Sequence, residues 1–293
     1  MAVALDDRGG TEPLVASASR RSLRRLVRNR LAVVGAVIVV GIAFAAVAAP
    51  ILDHASPAAT NFNLALAPPS LLHPFGTDTL GRDILVRVLY GGRTSLTAGL
   101  ASVLLAMLVG VPLGLIAGYV GGWVNEVIMR VTDAMLAFPA LVLALAIGAM
   151  LGPGLGNAII AIALVTVPAF VRITRSRVIA VRELDFVDAA RAAGGRTGRV
   201  LMAHILPNVL NPLLVLAALN VGFAILTEAS LSFLGVGVQP PTPDWGFDLK
   251  AGSDYLQNAP WLSLFPGAAI FLTVLGFNLL GDGLRDFLDP TMR

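Results

Sequence analysis

The sequence predicts an all-α integral membrane protein with six transmembrane helices, and three observations carry that prediction. Of 293 residues, 56% are hydrophobic and only 13% charged, with a mean hydropathy of +0.81, a balance too apolar for an ordinary soluble domain. The apolar residues fall in runs of about 20, the length at which a helix rising about 1.5 Å per residue crosses a hydrocarbon core of about 30 Å. The arginines gather beside these runs, as the positive-inside tendency arranges them. The net charge of +3 therefore reports topology, and no interleaved aromatic pattern points to nucleic acid. Cysteine is absent, which removes disulfides, thiolate metal sites and cysteine nucleophiles. His54, His73 and His204 are too dispersed to assign a metal site, and no Ser/His/Asp set is evident, so neither metal ligands nor catalytic residues are expected.

Residues 1–30 form a basic tail in which Arg20, Arg21, Arg24, Arg25, Arg28 and Arg30 immediately precede the first apolar run. That asymmetry places the N-terminus in the cytoplasm. The run 31–52 is longer than a signal core of about 7–15 residues, so it is expected to be a retained first transmembrane helix. Residues 53–93 then lie outside. Ile84, Leu85, Val88 and Leu89 recur on one helical face, which predicts a short amphipathic helix on the outer membrane surface, acting as a packing lid or directly in binding.

Residues 94–282 form the core, helices 2–6. Helix 2, about 94–119, carries Gly110, Gly114 and Gly118 at four-residue spacing, a small-residue face suited to close packing inside the chain. Helix 3 is expected over about 125–150. Arg130 and Asp133 stand three apart near its start, as an anchoring ion pair or as a substrate or proton site. Gly152-Pro153-Gly154 turns the chain into helix 4, about 155–173. Arg172, Arg175, Arg177 and Arg182 put the loop 174–206 on the same side as the N-terminus. Helix 5 runs over about 208–234. Its polar interior residues, Asn220 and Glu228, either line a pathway or serve the structure. Prolines bar a helix through residues 239–246 of the outer loop 236–261, where Trp245 and Trp261 suit the membrane interface. Helix 6, about 262–280, returns to the cytoplasm and leaves 283–293 as a tail.

Between helices 4 and 5 lies an extended polar stretch. Phe186, Val187, Ala189, Ala190 and Ala193 suit a short helix around Asp188 and Arg191, and Gly194 and Gly195 suit its end, because glycine takes the left-handed conformation at little cost. Residues 196–206 can restart as a second short helix, and Pro207 fits the first turn of helix 5. A two-helix knob of this kind can press into a groove on a partner and pass movement to the spans on either side.

The spacing is Asp188-Ala189-Ala190, three residues, Gly194, nine residues, then His204-Ile205-Leu206-Pro207. In this the chain resembles the membrane subunits of binding-protein-dependent ABC importers, whose motif is Glu-Ala-Ala, three residues, Gly, nine residues, Ile-x-Leu-Pro; Asp188 replaces the Glu and His204 the Ile. Phe75-Gly76-Thr77-Asp78, Gly81-Arg82-Asp83, residues 228–235, Gln239-Pro240-Pro241 and residues 281–286 resemble the peptide and nickel branch, and specifically its second permease subunit.

The resemblance implies a type I importer permease fold in the bacterial cytoplasmic (inner) membrane. It implies that Phe186, Val187, Asp188, Ala189, Ala190, Arg191, Gly194, Gly195, His204 and Pro207 couple the chain to an ATPase. The implied partners are a homologous second permease, two ATP-binding subunits and an extracytoplasmic substrate-binding protein. The implied cargo is dipeptide or oligopeptide, with nickel chelates, glutathione or haem as alternatives in the same architecture. The chain itself has no Gly-x-x-x-x-Gly-Lys-Ser/Thr phosphate loop, and its only lysine is Lys250 in the outer loop. ATP, Mg and hydrolysis therefore belong to the partner subunits; the chain is expected to be neither an enzyme nor a cofactor binder. An ion-gradient-driven transporter would show paired repeats of interrupted helices and several intramembrane carboxylates. Glu228 stands alone in mid-chain, without a convincing repeat.

Overall fold

Hydrocarbon offers no partner to a backbone N–H or C=O, so the apolar runs close their hydrogen bonds internally as helices. The computed structural model describes residues 30–52 and 56–288; the basic tail before Arg30, His54 and the residues after 288 lie outside the described residues. The helices are α1 (Arg30–Leu52), α2 (Ile84–Val120), α3 (Gly122–Leu136), α4 (Ala140–Leu151), α5 (Leu155–Arg182), α6 (Asp185–Ala192), α7 (Leu206–Phe233), α8 (Trp245–Ser253) and α9 (Trp261–Leu288). Five helical stretches are long and apolar enough to cross a membrane, and α3 with α4 makes a sixth if the bent pair counts as one span.

The glycine face of α2 fixes the direction of the bundle. A Cβ on Gly110, Gly114 or Gly118 would stand 2.7, 2.5 or 2.7 Å from the Cβ of Phe170, Thr174 or Val178, so the stripe is filled by α5 of the same chain. Both sets of numbers ascend together, hence α2 and α5 run parallel. α1 packs antiparallel on α9, because Gly35 meets Leu280 and Ile38 meets Gly276. Arg30 and Leu288 consequently lie at the same end as the α5–α7 connection. The main core lies among α2, α5 and α7 around Phe170, Ile162, Ile225 and Leu213, all fully buried.

Several boundaries differ from the sequence-based expectation. The amphipathic helix expected before residue 94 is the first part of α2, a single helix of 37 residues capped by Asp83, whose side chain accepts the Val86 N–H. Pro112 lies inside it without ending it, and Gly91 and Gly92 serve as close-approach positions under the indole of Trp245. The single helix expected over about 125–150 is broken between Leu136 and Ala140 and bent by 93°. Pro139, the N-cap of α4, has no N–H to continue α3 and disfavours helical geometry at Phe138. At the far side of the core, α5 continues to Arg182, so only residues 183–184 and 193–196 of the expected 174–206 loop are non-helical. The outer loop 236–261 contains α8, which starts where Asp244 accepts the Phe247 N–H at 2.8 Å. Residues 283–288, expected as tail, complete α9. Gly283 there sits directly against Ala32 of α1, and that packing keeps the helix going.

Candidate functional site

The knob between α5 and α7 is built as its sequence dictates. α6 begins after Leu184, with Asp185 and Asp188 in its first turn, where carboxylates oppose the positive end of the helix dipole. It ends in a Schellman closure: the Gly195 N–H bonds Ala190 O at 3.0 Å and the Gly194 N–H bonds Arg191 O at 2.9 Å. Gly194 takes φ +80, and a Cβ on Gly195 would stand 2.6 Å from Ala190 O, so the two glycines serve different needs. The chain then makes a helical turn at Thr197–Arg199, passes through a π-helical stretch Val200–Ile205, and enters α7 with Pro207 in its first turn. The expected second short helix is thus continuous with the span.

Burial divides the expected site residues into two sets. Val187 is fully buried, as are Val200, Ile205 and Val209, so Val187 fastens the knob and offers no surface. Phe186, Asp188, Ala189, Arg191, Gly194 and Pro207 are exposed; Ala190, Gly195 and His204 are half-buried. Asp188 pairs with Arg191 at 3.0 Å on the surface. His204 lies in the π-helical stretch, where its carbonyl accepts the Asn208 side-chain amide at 2.6 Å.

The knob is also tied to α2, which the sequence did not reveal. The Arg191 guanidinium lies 5.3 Å from the ring centre of Tyr119, and Arg182 Nη1 donates to Gly118 O at 2.9 Å. Nearby, Asp133 pairs with Arg172 of α5 at 2.7 Å, in place of the expected Arg130 three residues away. α3 packs on α5, where Asn125 also meets Arg175, a tertiary fact invisible to residue spacing.

At the opposite end a second cluster fixes the start of α2 to α8. Arg87, only 2% exposed, donates from Nε to Asp248 Oδ1 at 3.0 Å and from Nη1 to Pro57 O at 3.2 Å. Burial pushes the Asp248 carboxyl up to about 6, against the pull of Arg87. Trp245 is buried with its indole N–H on Val88 O at 2.8 Å, and Thr94 Oγ1 donates to Pro243 O at 3.0 Å. Asn220 is half-buried and its amide donates to Leu216 O within α7 at 2.8 Å. Glu228 is fully enclosed within the chain, where Ser232 Oγ donates to its Oε1 at 2.8 Å.

An open apolar groove of about 560 Å³ runs beside α7, between Leu141 of α4, Leu226 and Phe233 of α7, Leu249 of α8 and Phe271 of α9. Among the described residues no group of three or more His, Cys, Asp or Glu is placed to hold a metal ion.

Residues 110–293 match the family model described as binding-protein-dependent transport system inner membrane component. Residues 17–69 match the N-terminal TM domain of oligopeptide transport permease C. The chain is 51% identical to the dipeptide transport system permease protein DppC of Alkalihalophilus pseudofirmus, over 94% of this chain and 90% of that protein. It is 50% identical to the protein of the same name in Escherichia coli K12, over 91% of each. A putative peptide transport system permease protein of Brucella abortus is 44% identical over 97% of this chain and 94% of its own length. Among solved structures, an inward-facing MetNI methionine ABC transporter chain aligns with TM-score 0.56 at 17% identity, over 69% of this chain and 96% of that chain, a likeness of fold.

Proposed function

Because this chain belongs to the family of binding-protein-dependent transport system inner membrane components, we propose that it forms, with a homologous second permease, a pathway carrying dipeptides and oligopeptides across the inner membrane. An external binding protein delivers the cargo, and two ATP-binding subunits dock on the knob. The peptide reading draws on relatives that share about half the residues over nearly the whole chain. On this reading Arg30, Leu288 and the knob face the cytoplasm, in keeping with the arginines around them, and the Arg87–Asp248 cluster faces outward. The apolar groove and the half-buried Asn220 belong to the passage and to the face shared with the second permease.

The observation that supports this most is the division of labour within the knob. Phe186, Asp188 and Arg191 are exposed for a partner, whereas Val187 is buried between the two spans that the knob joins. A closing pair of ATPases that presses on α6 therefore moves α5 and α7 with it. Gly194 is the hinge-free stop that gives the knob its shape, and Gly194→Val forces a β-branched residue to φ +80. In the assembled complex in proteoliposomes, ATP hydrolysis should persist while uptake of labelled dipeptide falls about tenfold, a loss of about 1.4 kcal/mol in coupling. Unchanged coupled uptake would overturn the docking role. A wild-type complex that takes up nickel chelate, glutathione or haem and refuses peptides would replace the cargo and leave the docking role standing.

A further inference from the structure

Four polar side chains meet in the interior near the end opposite the knob: Ser95 of α2, Glu228 and Ser232 of α7, and Asp244 at the start of α8, each 0% exposed. Three of their bonds are made locally. Ser232 Oγ donates to Glu228 Oε1 at 2.8 Å and accepts the Val238 N–H at 3.0 Å. Asp244 Oδ1 accepts the Phe247 N–H at 2.8 Å. Three buried atoms remain without a protein partner: Glu228 Oε2, Asp244 Oδ2 and Ser95 Oγ.

The carboxyl groups of Glu228 and Asp244 are neighbours, close enough to bond one another when one holds a hydrogen. Two ionised carboxylates would have none to offer, and both orphaned oxygens would face like charge in a dry interior. The charged groups facing the pair do not resolve this. Arg87 of α2 is engaged by Asp248 of α8, Arg82 by Asp78, and the Lys250 ammonium stands by Gly235 on the exposed side of α8. Asp248 itself adds negative charge close to Asp244. Burial lifts the Asp244 carboxyl above its ordinary range, the direction in which a shared hydrogen is retained at neutral pH.

We propose that Glu228 and Asp244 hold one proton between them, with the Ser95 hydroxyl turned toward the remaining charge, and that this proton pins α8 to α7 and α2. The proton comes from solvent, the pair then bears a single negative charge, and all three orphaned atoms gain a partner. For an acid whose folded value is raised, the bond is fully present at low pH and is lost as pH rises through that value. The pin rests on the geometry of this chain alone and stands whatever the cargo.

Infrared difference spectroscopy of the assembled complex tests it through the carbonyl stretch of a protonated carboxylic acid. In an Asp248→Asn background, which removes the other raised carboxyl, the pair should show this band at pH 6. Glu228→Gln and Asp244→Asn should each abolish it; Asn preserves the helix cap at 244. Ser95→Ala should shift the band without removing it, and it provides a reading if either carboxyl variant fails to assemble. In the same background, raising the pH should bleach the band and loosen α8, read as faster amide exchange across Trp245–Ser253, a response that adding Glu228→Gln or Asp244→Asn removes. An Asp248→Asn spectrum without the band at pH 6, or a band in that background that survives both carboxyl substitutions, would overturn the proposal.

Discussion

Val187 and Phe186 are adjacent apolar residues with opposite fates, one sealed between two spans and the other 41% exposed. Their spacing around Asp188 and Gly194 was legible in the sequence because the contacts that matter, including the Schellman closure, are local. The Arg87–Asp248 pair was not, since its members stand 161 positions apart and each reads alone as an ordinary surface charge. That pair makes a prediction. Asp248 sits at about 6 instead of 3.8 because burial disfavours its charge. A raised folded value stabilises the protein below the ordinary value and loses that contribution as pH rises through about 6. Thermal unfolding of the complex should therefore shift to lower temperature between about pH 4 and about pH 6 through this group, and Asp248→Asn should remove that share of the pH dependence. A variant whose profile matches wild type would show that Arg87 holds the carboxylate ionised throughout.

At the level of elements, hydrophobic run length located the spans, while their junctions were set by tertiary contacts. Residues 84–93 read as a separate surface helix because Arg87 and Arg93 give them a charged face that residues 94–119 lack. The continuity of α2 comes from Trp245 and Ala46 packing on Gly91 and Gly92. The break at Pro139 was hidden by apolar residues on both sides, although the proline was in plain view. α8 followed so many prolines that it read as loop, yet Asp244 before Trp245 was a usable start signal. The tie between α6 and α2 can be tested directly. The Arg191 guanidinium lies over the half-buried Tyr119 ring, so Tyr119→Ala should speed amide exchange in α6 about two- to fivefold. Exchange unchanged in α6 would mean that Val187 and Arg182 alone hold the knob.

Across the whole molecule, the glycine registers put Arg30, Leu288 and the knob at one end and the Arg87–Asp248 cluster at the other. On the proposed reading the arginines put the knob's end in the cytoplasm, and the absence of cysteine makes that orientation simple to check. With Leu72→Cys or Arg196→Cys as the only thiol, a membrane-impermeant maleimide applied outside intact spheroplasts should label the first and spare the second. The reverse pattern would invert the topology. α2, at 37 residues, is about 55 Å long, well beyond a hydrocarbon core of about 30 Å. On the proposed docking reading it acts as a lever, locked along its glycine face to α5: a tilt of about 5° displaces its far tip by about 5 Å. A modest push on one side of the membrane thus becomes a stroke the width of a side chain on the other, without any helix having to unwind.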